Sequence, residues 1–170
     1  MRKALFLDRD GVVNVDYDYV HRVEEFVFID GIFELCRRCQ EKGYIVVVVT
    51  NQSGIARKRY SEAEFAELSR WMVARFADKG VAIGGVYHCP HHPEITGPCR
   101  CRKPEPGMLL EAARDLEIDL GASIMVGDKE RDIEAAIRAG VPKRYLYDPA
   151  HHGMPTRATA VVKTLEEVPC

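Results

Sequence analysis

The amino-acid sequence predicts an α/β fold, a parallel sheet with helices on both faces. Three observations predict it: short, fully apolar runs, helix-period segments alternating with them, and polar clusters placed where the apolar runs end. The 170 residues suit a single domain able to bury a core of its own. A net charge of -2 gives no general attraction to nucleic acid or an anionic membrane. The longest strongly apolar run, Tyr44 to Val49, is too short to span a bilayer. With no signal-peptide pattern at the start, the expected location is cytoplasmic.

Taken in order, "KALFLD" (3–8) reads as a buried strand and "GIFELCRRCQEKG" (31–43) as a helix stopped by Gly43. "YIVVVVT" (44–50) is a second buried strand. The helix over 61–80 opens with a Ser61/Glu64 capping box and stops at Gly80. "GGVYHC" (84–89) is a third strand, and Pro106 opens a helix over 106–118. "SIMVGD" (123–128), a helix over 130–140 closed by Gly140, and the strand 143–148 complete the alternation. "ATAVVKTLEEV" adds a short edge strand and a helical turn.

In a parallel sheet, ligands gather at the carboxyl ends of the strands. Four polar stretches fall there: "FLDRDGVVN", "VVTNQSG", "CRKPEPG" and "MVGDKERD". They converge Asp8, Asp10, Thr50, Lys103 and Asp128 on one rim. These types suit phosphoryl transfer from a phosphomonoester. Carboxylates approach a dianionic phosphate only when a cation screens the repulsion, so the acidic rim implies an oxygen-liking ion such as Mg2+. Asp8 is the expected nucleophile and, with Asp128, holds the ion. Asp10, with Gly11 turning the chain after it, can face the ion with its carbonyl while its carboxyl serves as acid and base. Thr50 offers a hydroxyl, the amides of Asn51 and Gln52 can point at phosphate oxygens, and Lys103 neutralises the transferring group. Taken singly, such residues are ordinary turn, packing or solvated positions. Asp132 has two readings, favouring the helix dipole or supporting the metal from behind.

Cys89 and His91 form one close pair, Cys99 and Cys101 another, with seven residues between them. Such pairs can converge on tetrahedral Zn2+. With four protein ligands no position stays open for water, so this ion would be structural. His91 fits the spacing better than His92, and His88 belongs to the strand. Cys36 and Cys39 are expected to face inward as core residues rather than to act in redox or metal chemistry, and Cys170 is expected to be a loose terminus without a disulfide.

Together, "DRDGVVN", "TNQSG", "CRKPEPGM" and "GDKERD" resemble the four motifs of the haloacid dehalogenase superfamily. "CPHH" and "CRCRKP" resemble its zinc-containing, histidinol-phosphatase-like branch. The resemblance runs from about Lys3 to Val168. It implies a capless Rossmann-like domain with a zinc-binding loop, an aspartyl-phosphate mechanism, and Mg2+ on Asp8, Asp10 and Asp128. It further implies substrate contacts at Asp16, Tyr17, Asp18, Tyr19, Thr50, Asn51, Gln52, Ser53, Arg102, Lys103 and Lys129. The implied substrate is a sugar bisphosphate, a heptose losing its 7-phosphate on the way to a nucleotide-activated sugar and lipopolysaccharide precursor, with histidinol phosphate as the alternative.

Arg102 is the expected selector, since a guanidinium can hold a second phosphate bidentately. Val12 stands where many relatives carry Thr. Arg57, Lys58 and Arg59 stand where a glycine is expected among basic residues, and they read as a solvated flank of the next helix. A monomer is expected. A phosphoacceptor signalling domain would carry adjacent acidic residues on the first strand and accept phosphate on the third, whose end here is Cys89. A non-catalytic zinc-stabilised binding module would be indifferent to Asp8→Asn.

Overall fold

The computed structural model describes residues 1–170. Six strands form one parallel sheet: β1 (Lys3–Leu7), β2 (Tyr44–Asn51), β3 (Ile83–Cys89), β4 (Ile124–Gly127), β5 (Lys143–Tyr147) and β6 (Ala160–Val162). The helices are α1 (Ile32–Glu41), α2 (Glu62–Asp78), α3 (Pro93–Thr96), α4 (Gly107–Leu116) and α5 (Glu130–Ala139). The expected elements are all present with boundaries moved by a residue or two, and the edge strand is followed by a 3-10 turn at Leu165–Glu167. Only α3 and the 3-10 turns at Val23–Glu25 and Leu120–Ala122 lie outside the expectation. They are too short to leave a periodic signal. No helix is long and apolar enough to cross a membrane.

The strand order is β3-β2-β1-β4-β5-β6. The chain winds outward from β1 to β3, then crosses to the other side of β1, so β1 and β4 flank the reversal point. Side chains of a strand alternate between faces, and the core divides accordingly. Leu5, Leu7, Val46, Val48 and Val126 pack with Leu35, Leu68, Met72 and Phe76 of α1 and α2. Ala4, Phe6, Val47, Val49 and Met125 pack with Met108, Ala112, Ala135 and Ala136 of α4 and α5. Because both faces are covered, the strands are continuous apolar runs rather than alternating ones. Val12 is fully buried in the first of these cores, which accounts for an apolar residue there.

The C-terminus corrects one expectation. Leu165 and Val168 are buried, Arg38 Nη2 donates to Val168 O at 2.7 Å, and Cys170 is disulfide-bonded to Cys39. Cys170 is therefore tied to α1, because the apolar turn before it docks on the core. Cys36 is buried as expected, and burial pushes its thiol up to about 12.

Phe76 is fully buried and meets Phe28 and Phe33 edge-on. Phe76→Ala is expected to lower stability by about 3–5 kcal/mol, read as a lower denaturant midpoint at unchanged slope.

Candidate active site

Four chain segments meet at the carboxyl end of the sheet, and their focus is one ammonium group. Lys103 Nζ lies 2.7 Å from Asp8 Oδ1, 2.7 Å from Asp132 Oδ1 and 2.8 Å from Val49 O. Lys103 and Asp132 are each 1% exposed. Despite burial, which disfavours its charge, the two carboxylates hold the Lys103 pKa above its ordinary value.

Asp132 does more than complement a helix dipole. Its Oδ2 accepts from the amides of Asp128 and Lys129 at 3.2 and 3.0 Å, fixing the turn into α5. Gly127 is required beside it, since a Cβ there would meet Asp132 Cβ at 2.3 Å.

Asp8, Asp128 and Asp132 bring carboxylate oxygens within 4.8 Å of one another. Burial, then the Asp132 charge, pushes Asp8 well above the ordinary carboxylate range, with Lys103 opposing. The same two causes push Asp128 up to about 6. With Lys103 the cluster is short of two positive charges, and Asp128 Oδ1 is buried without a partner. A hard divalent cation between Asp8 and Asp128 fits both facts. Gly11 makes that approach possible: its φ is 98°, and a Cβ would meet Asp128 Oδ2 at 2.1 Å. Asp132 is a poorer ligand than its position suggests, because its oxygens already serve Lys103 and two amides.

The Asp10 carboxylate is turned away from that cluster. Its Oδ1 accepts from Arg9 Nη2 at 2.8 Å and Asn14 Nδ2 at 2.9 Å, and its Oδ2 from Gln52 Nε2 at 3.0 Å. Of Asp10, then, only the backbone carbonyl remains for a metal. Arg9 is 1% exposed, with its guanidinium over the rings of Phe26 and Phe65.

Beyond these groups the site opens into a cavity of about 250 Å³, lined by Asp16, Asp18, Tyr19, Ser53, Arg57, Arg102, Lys129 and Arg131 among others. Asp18 and Tyr19 hold left-handed backbone, φ 60° and 58°. For Tyr that is a strained conformation, kept at the wall of a pocket. The Arg59 guanidinium packs over the Tyr19 ring at 4.4 Å.

Several expected contacts are corrected. Tyr17 is 59% exposed and does not line the cavity. The Gln52 amide donates to Cys89 O at 2.8 Å, continuing the β2–β3 ladder, so it is not free for phosphate. The amides of Ser53 and Gly54, one and two residues on, make no backbone hydrogen bond. The Asn51 side chain grips the Lys103 backbone, accepting from its amide at 3.0 Å and donating to its carbonyl at 3.2 Å. Thr50 is 1% exposed; its Oγ1 accepts from Gln52 Nε2 at 2.9 Å and donates a long bond, 3.4 Å, to Asn51 O. Arg57 is not a mere solvated flank: it lines the cavity and lies 2.9 Å from His92 Nε2. No single-residue signal marks Arg131 or the grip of the Asn51 side chain on Lys103, because both arise only when distant segments meet.

Cys89, His91, Cys99 and Cys101 also converge, with donor atoms within 4.8 Å of one another. The structure joins Cys89 to Cys101 as a disulfide, a pairing the sequence did not suggest. The other close distances are 3.7 Å (Cys89–Cys99 and Cys99–Cys101), 3.6 Å (Cys89–His91) and 3.2 Å (His91–Cys101). Tetrahedral Zn2+ with Zn–S near 2.3 Å sets sulfurs roughly 3.8 Å apart; the two Cys99 distances match that spacing, and the Cys89–Cys101 pair would match it once reduced and separated. His88 stays with β3, its ring tilted by 30° against Phe65 and 2.7 Å from Glu62. His92 caps α3. Below the cluster, Gly107 N donates to Arg100 O at 2.9 Å, and a Cβ on Gly107 would collide with that oxygen.

Comparison with known proteins agrees with this geometry. Residues 100–168 match the HAD-hydrolase-like family model. The chain is 47% identical to D-glycero-beta-D-manno-heptose-1,7-bisphosphate 7-phosphatase of Vibrio cholerae, over 99% of this chain and 95% of that one. It is 51% identical to D-glycero-alpha-D-manno-heptose-1,7-bisphosphate 7-phosphatase of Burkholderia mallei, over 98% and 91%. The crystal structure of D,D-heptose 1,7-bisphosphate phosphatase from B. bronchiseptica, complexed with magnesium and phosphate, superposes with a TM-score of 0.84 at 35% identity, covering 96% of this chain and 93% of that one. With the fold, the four converging segments and this degree of identity in agreement, the chain belongs to the heptose-1,7-bisphosphate 7-phosphatase family of the haloacid dehalogenase superfamily and is a phosphatase.

Proposed function

We propose that this enzyme removes the 7-phosphate of D-glycero-D-manno-heptose 1,7-bisphosphate, as the names of its relatives suggest. The observation that carries the reading is the polarity of the cavity. Its lining joins Asp8, Asp10, Asp128 and Lys103 to a basic wall of Arg57, Arg102, Arg131 and Lys129, with Asp16 and Asp18 as the other acidic residues. The three arginines have no carboxylate within ion-pairing distance, which suits a second phosphate of the substrate. Histidinol phosphate would instead bring an ammonium group to that wall.

Asp8 attacks phosphorus with a carboxylate oxygen while the bond from phosphorus to the sugar oxygen breaks. The Asp10 carboxyl gives its proton to that oxygen. Water then attacks phosphorus, its proton passes to Asp10, and the bond from phosphorus to Asp8 breaks, releasing phosphate and restoring both residues. Lys103, the Thr50 hydroxyl and the amides of Ser53 and Gly54 steady the transferring oxygens. Asp8, Asp128 and the Asp10 carbonyl would hold Mg2+, which when bound screens the carboxylates from the incoming dianion. Cys89, His91, Cys99 and Cys101 would hold Zn2+ in place of the Cys89–Cys101 bond, as a closed structural site beside Arg102 and Lys103. We read the protein as a single-domain, monomeric, cytoplasmic enzyme acting on a small molecule.

A phosphate-release assay over both heptose bisphosphate anomers and histidinol phosphate tests the substrate. A heptose bisphosphate should be turned over best; preference for histidinol phosphate would overturn the reading. Asp8→Asn should lower turnover at least about 1,000-fold, as loss of a nucleophile does, and unchanged turnover would point to a non-catalytic role. Removing zinc should disorder residues 89–103 and lower activity about tenfold or more, measured with metal content and backbone hydrogen exchange. Full activity in protein shown to be zinc-free would sink that role.

A further inference from the structure

Both hydrogens of the Gln52 side-chain amide are committed within the protein. Gln52 is 2% exposed, its amide donates to Cys89 O, and its carbonyl accepts from the Ile55 amide at 3.2 Å. Its Nε2 donates to both Asp10 Oδ2 (3.0 Å) and Thr50 Oγ1 (2.9 Å), and its Oε1 accepts from the Tyr60 hydroxyl. The Asp10 carboxylate, which only accepts, decides which way the amide faces, and the Tyr60 hydroxyl then donates to the amide oxygen on the other side. Tyr60 is buried, and burial pushes its hydroxyl up to about 12, so it stays protonated and serves as a donor. With the amide reversed, its oxygen would confront a carboxylate oxygen. Gly54 makes room for the ring, since a Cβ there would meet Tyr60 Cε1 at 2.2 Å. On its other side the Tyr60 ring stacks on His21, with centroids 5.1 Å apart and planes 9° apart.

We propose that Gln52, braced by Tyr60, is the positioning residue for the acid–base carboxyl of Asp10 and ties it to Thr50, rather than contacting the substrate. The inference rests on the reading of Asp10 as acid and base. Arg9 and Asn14 both bond Oδ1, so they alone leave the carboxylate free to swing about that oxygen; Gln52 is what fixes Oδ2.

Leaving-group dependence tests it. A sugar oxygen must be protonated as it departs, whereas p-nitrophenolate leaves without a proton; on kcat/KM, which reports formation of the aspartyl phosphate and not its hydrolysis, a misplaced Asp10 therefore slows only the first. Gln52→Leu should lower kcat/KM for the heptose bisphosphate about 10- to 100-fold, part of the range a general acid supplies. For p-nitrophenyl phosphate the change should stay within about threefold. Tyr60→Phe, which removes one oxygen and keeps the ring packing, should show the same selectivity to a smaller degree. Asp10→Asn is the reference, with the largest selective loss. Equal losses on both esters, or no loss on either, in Gln52→Leu and Tyr60→Phe would overturn the proposal while Asp10→Asn still behaves as an acid variant. If Asp10→Asn itself shows no selectivity, the acid–base reading falls and this inference with it.

Discussion

The site depends on one buried contact, the Lys103 ammonium lodged between Asp8 and Asp132 and against Val49 O. Removing one member of such a group leaves an uncompensated charge in a nearly water-free place, a loss of about 3–5 kcal/mol. The contact also joins three distant parts of the chain, since Asp8 follows β1, Lys103 follows the cysteine loop and Asp132 lies in α5. Because two carboxylates share one cation, and Asp128 adds a third, the cluster keeps an excess of negative charge. That excess is what a divalent ion would balance.

Holding Lys103 to a fraction of an ångström takes two anchors. Asn51 fixes its backbone at both amide and carbonyl, and the Cys89–Cys101 segment fixes the chain just before it. Both anchors start from the ends of β2 and β3, on one side of β1, and from there the lysine reaches Asp8 after β1 and Asp132 in α5. The cysteine loop thus bears on chemistry through placement: it brings Lys103 to the nucleophile and Arg102 to the cavity wall. Arg102 lies half-buried there. Burial first, then the charges of Arg131 and Arg57, lowers its pKa.

Much of this could be read from the sequence, for identifiable reasons. Strands buried on both faces announce themselves as runs such as Val46 to Val49, and the helices between them by period and caps. The convergence of Asp8, Lys103 and Asp128 followed from parallel topology alone. What escaped was the direction of individual polar groups. That the Gln52 amide continues the ladder to Cys89, or that Asn51 turns to Lys103, depends on where β2 stops pairing, a boundary that patterns locate only to within a few residues. In sequence Tyr17 is indistinguishable from its neighbours, yet the left-handed turn at Asp18 and Tyr19 leaves it outside. Cys170 reads as loose because a short terminal turn carries little signal, and only the burial of Leu165 and Val168 ties it down.

The central claim is that Asp8 itself carries the phosphoryl group between substrate and water. The stereochemical course at phosphorus tests this most directly, using a substrate whose 7-phosphoryl group is made chiral with oxygen isotopes. Two successive in-line displacements, first by Asp8 and then by water, predict retention of configuration. Inversion would mean a single displacement by water and would contradict the account.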